Sequence, residues 1–215
     1  MARTIPLFLA ILFAASRAQA TVVTVSLTGG NGAPAPNAVV ELVSDTDGPQ
    51  PPSHVPAETT IDQRQETFIP MVSVVRQGGR VLFANNDTTK HQVYSFSPIK
   101  QFEFEIQQGQ HSEPVVFDKP GIASIGCNIH DQMIAYIYVA KSAFAGIADA
   151  SGTVKFHDVP AGRYHLSLWH PQLIPGRTSP SPALIVAASD ISIDAQLPLM
   201  AVSSSGMARM HMGRY

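Results

Sequence analysis

The sequence contains a single cysteine, Cys127, so no disulfide can form within one chain. Beyond the N-terminal segment it has no apolar run of the length that a membrane helix needs. Basic residues are few, with 14 Lys and Arg against 16 Asp and Glu, and they form no basic patch. We therefore predict a protein without internal disulfides, without a membrane span and without nucleic acid as a partner.

The N-terminal segment has the pattern of an export signal. Arg3 is followed by an apolar core over residues 5–15, and the segment ends at Ala18-Gln-Ala20, the small-x-small pattern that signal peptidase reads. We predict that residues 1–20 are a cleaved signal peptide and that the protein is periplasmic, with a retained anchor as the alternative. A thiol exported to an oxidising compartment is oxidised unless it is buried, paired between chains or bound to metal. That context makes Cys127 a candidate functional residue.

The remaining sequence predicts an all-β protein. It has 17 Pro, 15 Gly and many short β-rich runs separated by turn residues, which is typical of a β-sandwich. The Pro-rich stretch at residues 45–58 predicts a domain boundary. Predicted strands cover residues 21–27, 38–43, 115–117, 122–125, 134–139, 152–156, 163–169, 183–187 and 191–197. The predicted domains are N-terminal strands with a connector at 21–57, a β-domain that contains Cys127 at 58–141, a second β-domain at 142–200 and a disordered Met-rich tail at 201–215.

The chemistry is concentrated in the motif Cys127-x-x-His130-x-x-Met133. A soft thiolate, an imidazole and a weak thioether within seven residues suit copper, which binds thiolate in both of its oxidation states. A second imidazole would complete a trigonal plane, and His91, at the end of a polar loop and before an apolar run, is the candidate. Because His91 lies 36 residues before Cys127, only a folded sheet can unite them.

These segments resemble the cupredoxin family of small blue-copper proteins. NNDTTKHQVYSF is similar to the plastocyanin-type ligand loop, and GCNIHDQMIAYIYV is similar to the contracted amicyanin-type loop. The upstream FIPMVSVVRQGGRVLFANND is similar to the early strands of the family, so the resemblance covers roughly residues 64–140. Together with flanking sandwich strands, the chain resembles the periplasmic cupredoxins known as methylamine utilisation proteins.

The resemblance implies a Greek-key β-sandwich with one mononuclear type 1 copper site that transfers single electrons to transient redox partners and is not an enzyme. It implies His91, Cys127 and His130 as strong ligands and Met133 as the weak axial ligand. It also implies that Asn85 ties the first ligand loop to Asn128. The chain departs from the family at Lys90, at Gly126 in place of an aromatic residue and at Asp131 beside His130.

Other readings of the same residues remain open. The four residues could simply pack in the core, or they could bind zinc, although Met is a poor zinc ligand. A nucleophilic cysteine would need an activating base and a substrate pocket, for which the sequence shows no motif. Multicopper oxidases need His-Cys-His, binuclear copper centres need two cysteines and c-type haem needs CxxCH, and none of these is present.

The C-terminal part predicts a second module. VPAGRYHLSLWHP resembles the transthyretin-like or carboxypeptidase-regulatory sandwich over about residues 144–199, and such a module could dock to an envelope complex. The N-terminal strands could belong to it, which would make the copper domain an insertion. A possible accessory Cu(I) cluster follows in the tail, comprising Met207, Met210, His211 and Met212. It raises the alternative that the chain is a copper chaperone, store or sensor without a redox role.

Overall fold

The computed structural model describes residues 21–46 and 51–200. Within these ranges the chain forms sixteen β-strands and no helix, which confirms the all-β prediction, and accordingly it contains no helix suited to crossing a membrane. The strands are β1 (Thr21–Thr28), β2 (Val39–Ser44), β3 (Glu58–Arg64), β4 (Thr67–Ile69), β5 (Val72–Arg76), β6 (Gly79–Asn85), β7 (His91–Ser97), β8 (Lys100–Ile106), β9 (Val115–Phe117), β10 (Gly121–Cys127), β11 (Ile134–Ala140), β12 (Phe144–Ile147), β13 (Thr153–Val159), β14 (Gly162–Trp169), β15 (Ala183–Val186) and β16 (Ile191–Gln196).

Strands β3 to β11 form two sheets around one apolar core, and we call this unit the site sandwich. One sheet has the order β5-β11-β10-β7-β8 and the other the order β4-β3-β6-β9. Alternate residues of each strand point inward, as in β6, where Val81, Phe83 and Asn85 are buried. Strand β10 pairs with β7 so that Cys127 lies opposite Val93, which brings the end of β10 beside the start of β7. This register joins residues that are far apart in the sequence.

The flanking sandwich consists of β1, β2 and β12 to β16. Its sheets have the orders β13-β1-β16 and β12-β2-β14-β15, so both N-terminal strands pair with strands from the end of the chain. Strand β1 alternates strictly between buried and half-buried positions, with Val23, Val25 and Leu27 in the core. In contrast, β2 is buried on both faces over residues 39–43. The domain boundaries proposed from the sequence remain a prediction.

The two sandwiches meet where the sheet that contains β12, β2 and β14 packs against β5 and β11, which explains the burial of both faces of β2. A small apolar cluster that includes Val39, Val72 and Tyr138 fills the contact, and Trp169 packs against it. The carboxylate of Glu41, which is 3 % exposed, lies beside this cluster. Its Oε2 accepts from the Tyr138 hydroxyl at 2.7 Å, and its Oε1 accepts from the backbone N–H groups of residues 141 and 142 at 2.8 and 2.7 Å. A buried carboxylate is tolerated here because it receives three hydrogen bonds.

A second buried polar group, His170, fixes the chain after β14. Its Nε2 donates to the carbonyl of Pro36 at 3.1 Å, and its Nδ1 accepts from the N–H of Gln172 at 3.0 Å. This pattern requires a neutral imidazole, because the acceptor nitrogen must be unprotonated. Burial lowers the pKa of His170, which agrees with that assignment.

Candidate metal centre

The structure brings His91, Cys127 and His130 together at one end of the site sandwich. Their ligating atoms lie within 4.8 Å of one another. The Cys127 sulfur is 3.6 Å from the Nδ1 of His91 and 4.0 Å from the Nδ1 of His130, and the two imidazole rings are 5.0 Å apart. Two imidazole nitrogens therefore face one thiol sulfur around a space that a single ion can fill.

Each of the three side chains is held by a different element. His91 begins β7 and is completely buried, and Cys127 ends the neighbouring strand β10 and is 3 % exposed. His130 lies in the short loop between β10 and β11, and its side chain is 20 % exposed. The core sheet thus fixes two of the donors, while the third reaches the surface.

Met133 completes the sequence motif from the end of the same loop. Its N–H donates to the carbonyl of His130 at 3.0 Å, which closes a tight turn. Its side chain is 2 % exposed and belongs to the same apolar cluster as Cys127. The loop therefore turns Met133 inward and leaves His130 near solvent.

The outer nitrogen of His91 contacts a carboxylate that the sequence reading did not single out. His91 Nε2 lies 3.1 Å from Oδ2 of Asp87, which is 8 % exposed. Asp87 also accepts from the N–H of Glu66 at 2.7 Å and from the N–H of Thr88 at 2.9 Å. Burial alone would raise the pKa of Asp87, but these hydrogen bonds and His91 together hold it below its usual range. With its Nε2 proton donated to Asp87, His91 presents the Nδ1 lone pair to Cys127.

The outer nitrogen of His130 also faces a carboxylate. Oε1 of Glu66 lies 3.5 Å from His130 Nε2. Glu66 occupies the two-residue turn between β3 and β4, where both Gln65 and Glu66 have positive φ, at 50° and 55°. Such a turn joins adjacent antiparallel strands tightly, and it projects Glu66 towards the site. Nothing in the sequence relates Asp87 to His91 or Glu66 to His130, because a four-residue spacing predicts a contact only on a helix.

One predicted contact is wrong. Asn85 was expected to bond to Asn128, and no hydrogen bond between these two residues occurs in the described structure. The Asn85 amide instead donates to the carbonyls of Thr89 and Ile106 at 2.8 and 3.0 Å, so it closes its own loop and ties it to the end of β8. Asn128 is bound across the strands by Gln92, through its backbone N–H at 2.9 Å and its side chain at 3.2 Å.

Gly126 leaves room for an aromatic side chain from the next strand. Tyr94 lies opposite Gly126, and its ring atom Cζ is 2.5 Å from the position that a Cβ on Gly126 would occupy. Tyr94 in turn packs on Phe96, with ring centroids 4.9 Å apart, and Phe96 is 70 % exposed. The Tyr94 ring thus occupies the space that a side chain at position 126 would need. An open groove of about 420 Å³ runs along this face, with Cys127 and Met133 in its lining.

The accessory cluster proposed at Met207, Met210, His211 and Met212 lies outside the described residues. The other described histidines do not join the site. His111 is exposed, and His165 pairs with Asp45 at 2.6 Å on the flanking sandwich. The described part of the chain therefore offers one group of His, Cys and acidic residues that could hold a metal ion.

No family model and no curated protein matches the sequence. Parts of several solved structures are similar to it. A purple cupredoxin from Nitrosopumilus maritimus has 18% identity and a TM-score of 0.34, covering 38% of this chain and 98% of that one. Amicyanin from Paracoccus versutus has 16% identity and a TM-score of 0.35, covering 49% and 99%. A copper-containing nitrite reductase from Thermus scotoductus has 22% identity and a TM-score of 0.36, covering 47% of this chain and a quarter of the reductase. At these scores, the assignment of function depends on the geometry of the chain's own residues.

Proposed function

We propose that this chain binds one copper ion and carries single electrons, as a carrier rather than an enzyme. The observation that supports the proposal is the convergence of His91, Cys127 and His130, whose ligating atoms lie within 4.8 Å. Two imidazoles and one thiolate with a weak methionine form the ligand set of blue-copper sites, and Met133 follows in the same loop. Zinc is the less suitable ion, because a thioether is a poor ligand for it.

The protein's contribution is to hold these donors in one arrangement. Copper, when bound, supplies the Cu(II)/Cu(I) couple. His91 and Cys127 are buried at the ends of paired strands, and the outer nitrogen of His91 is bonded to Asp87, so neither donor can move freely. A ligand set that keeps its geometry in both oxidation states undergoes little rearrangement when an electron arrives or leaves. The partly exposed His130 is the route between the site and a partner, and docking there is brief and small in area.

Copper addition to the purified protein tests the site. We expect intense visible absorption from charge transfer between the Cys127 thiolate and Cu(II), together with an EPR signal of narrow hyperfine splitting. Cys127→Ser should abolish the colour. His157→Ala is the matched control, since His157 is exposed on β13 of the flanking sandwich, and it should leave the colour unchanged. A colourless Cu(II) complex, or a coloured Cys127→Ser variant, would overturn the proposal.

A redox role is tested separately from copper binding. The copper-loaded protein should give a reversible one-electron wave by voltammetry and return to full colour after reduction and reoxidation. If copper is instead released to a Cu(I) chelator at each reduction, the chain handles copper as cargo, and the electron-carrier assignment is wrong. The same measurement on a chain truncated after Met200 asks whether the Met-rich segment is needed for loading.

We further propose that the protein acts in the periplasm and that residues 58–141 are an insertion in the flanking sandwich. The export proposal is supported by the Arg3-led apolar segment and tested by N-terminal sequencing of the mature protein. The insertion is supported by the pairing of β1 with β13 and β16 and of β2 with β12 and β14. Expression of residues 58–141 alone tests it, since an inserted unit should fold and bind copper by itself. Docking of the flanking sandwich to an envelope partner remains a proposal.

A further inference from the structure

We propose that Asp87 and Glu66 are positioning residues that shift the site towards Cu(II), each acting through the outer nitrogen of one histidine. This inference rests on the proposed copper function. Asp87 lies against His91 at 3.1 Å, and Glu66 lies against His130 at 3.5 Å. Both imidazoles in the candidate ligand set are therefore backed by a carboxylate.

The pair of Asp87 and His91 is the stronger of the two. Both side chains are buried, with exposures of 8 % and 0 %. Charges interact more strongly in such surroundings than in water, because less solvent screens them. Asp87 is held in place by two backbone N–H donors, from Glu66 and Thr88, so its carboxylate keeps its orientation towards His91.

Glu66 connects the two pairs. Its backbone N–H donates to Asp87 Oδ2, the same oxygen that receives the His91 proton, while its own carboxylate faces His130. The tight turn at Gln65 and Glu66 therefore faces His130 directly and reaches His91 only through Asp87. The Glu66 side chain is 55 % exposed, so solvent weakens its charge effect relative to that of Asp87.

These contacts have a defined consequence for the metal. The hydrogen bond to Asp87 fixes the tautomer of the His91 imidazole and makes its inner nitrogen a stronger donor, whereas Glu66, at 3.5 Å from His130, acts through its charge. Negative charge near the site stabilises the ion of higher charge more, which is Cu(II). Replacing either carboxylate by its neutral amide should therefore weaken Cu(II) binding more than Cu(I) binding and raise the reduction potential.

The experiment compares reduction potentials and copper affinities of Asp87→Asn, Glu66→Gln and the wild-type protein. Loss of such an outer partner typically costs about 10- to 100-fold in metal affinity. We expect Asp87→Asn to change the ratio of Cu(II) to Cu(I) affinity by about tenfold, which for one electron is about 59 mV. Glu66→Gln should shift it in the same direction by less. Its backbone N–H remains, so it tests the side chain alone.

Glu58→Gln is the matched control. Glu58 begins β3 of the same sandwich, at the end of that strand opposite the Gln65–Glu66 turn, and it pairs with Arg80 at 2.9 Å. It removes the same charge and should leave the potential within error of the wild type. Shifts in Asp87→Asn and Glu66→Gln no larger than that of Glu58→Gln would overturn the inference, even with a wild-type protein that is blue. If the wild type takes up no copper, the proposed function and this inference fall together.

The metal-free protein provides a second readout. In wild-type apoprotein, nitrogen NMR should show His91 as the Nε2–H tautomer with a slowly exchanging proton, because Asp87 accepts that proton in a buried site. In Asp87→Asn the proton should exchange faster while the far-UV circular dichroism stays unchanged. An unaltered exchange rate would refute the role given to Asp87. If Asp87→Asn does not fold, Glu66→Gln still tests the inference through the reduction potential, because a change at an exposed side chain should not prevent folding.

Discussion

Removal of one hydroxyl should loosen the contact between the two sandwiches. In Tyr138→Phe, the buried Glu41 carboxylate loses the hydrogen bond at 2.7 Å, which is the one bond that Oε2 receives among the described residues. A hydrogen bond to a charged group contributes about 1.5–3 kcal/mol, and Oε2 would be left buried without a donor. Burial and the nearby Glu41 charge raise the pKa of Tyr138, so the hydroxyl keeps its proton and acts as donor at ordinary pH. We expect the free energy of unfolding to fall by about 2 kcal/mol, which is a decrease in Tm of about 4–8 °C for a chain of this size.

Urea unfolding followed by the fluorescence of Trp169 measures this effect, since Trp169 is the sole tryptophan and its ring lies 6.4 Å from that of Tyr138. Coincidence with the far-UV circular dichroism transition shows whether one two-state transition applies. Tyr136→Phe is the matched control, because Tyr136 packs on Trp169 at 5.3 Å and its hydroxyl has no hydrogen bond among the described residues. It should change stability by less than about 0.5 kcal/mol. Equal losses in the two variants, or none in Tyr138→Phe, would refute the role assigned to Glu41.

Three further outcomes follow from other features. Gly152→Ala should destabilise the protein by about 2–4 kcal/mol in thermal unfolding, because its φ of 77° is strained for alanine and its Cβ would lie 2.3 Å from the carbonyl oxygen of Leu27. Gly32→Ala has the same φ with nothing within 4 Å of its Cβ, so it should cost only the strain, about 1 kcal/mol. Because the pKa of His170 is lowered, the unfolded chain binds the proton more readily than the folded one. The contribution of His170 to the free energy of unfolding should therefore be fully present above about pH 6.5 and decline as the pH falls towards the folded pKa. His170→Gln should flatten that decline, and equal pH profiles of the free energy of unfolding in the two proteins would contradict it. Copper at a hundredfold excess over its dissociation constant should stabilise the wild type by about 2.7 kcal/mol but not Cys127→Ser, as measured by differential scanning calorimetry.

The strands were predictable where the sequence alternates or is bounded by turn residues. The predicted strands at 21–27, 134–139 and 163–169 correspond to β1, β11 and β14 within one residue at each end. The pairing of β1 with β16 was not predictable in register, because parallel partners such as Val23 and Ile191 have no local signal that relates them. Strand β2 has five consecutive buried residues because both of its faces are packed, and the second face packs against the site sandwich. The local sequence of β2 does not reveal that contact.

The site was predictable to the extent that its residues share a short motif. The spacing of Cys127, His130 and Met133 predicts a metal site, and the position of His91 before a strand makes it a candidate ligand. The sequence does not indicate the carboxylates of Asp87 and Glu66, because Asp and Glu are frequent in turns for reasons unrelated to a metal. The predicted hydrogen bond between Asn85 and Asn128 does not form, because the register of β10 on β7 places Asn128 opposite Gln92, which binds it instead.

The order of the strands along the chain constrains how the protein is made. Synthesis delivers β1 and β2 first, yet their partners β12 to β14 and β16 begin only after residue 143. The apolar Val23, Val25 and Leu27 therefore have no sheet to join until those later strands have emerged. Contacts of such long sequence separation form slowly, and unpaired strands are sites of aggregation during that interval. Once residues 58–141 have folded, the distance between the N-terminal strands and their partners depends on the separation of the two ends of that folded unit. It no longer depends on the number of residues between them.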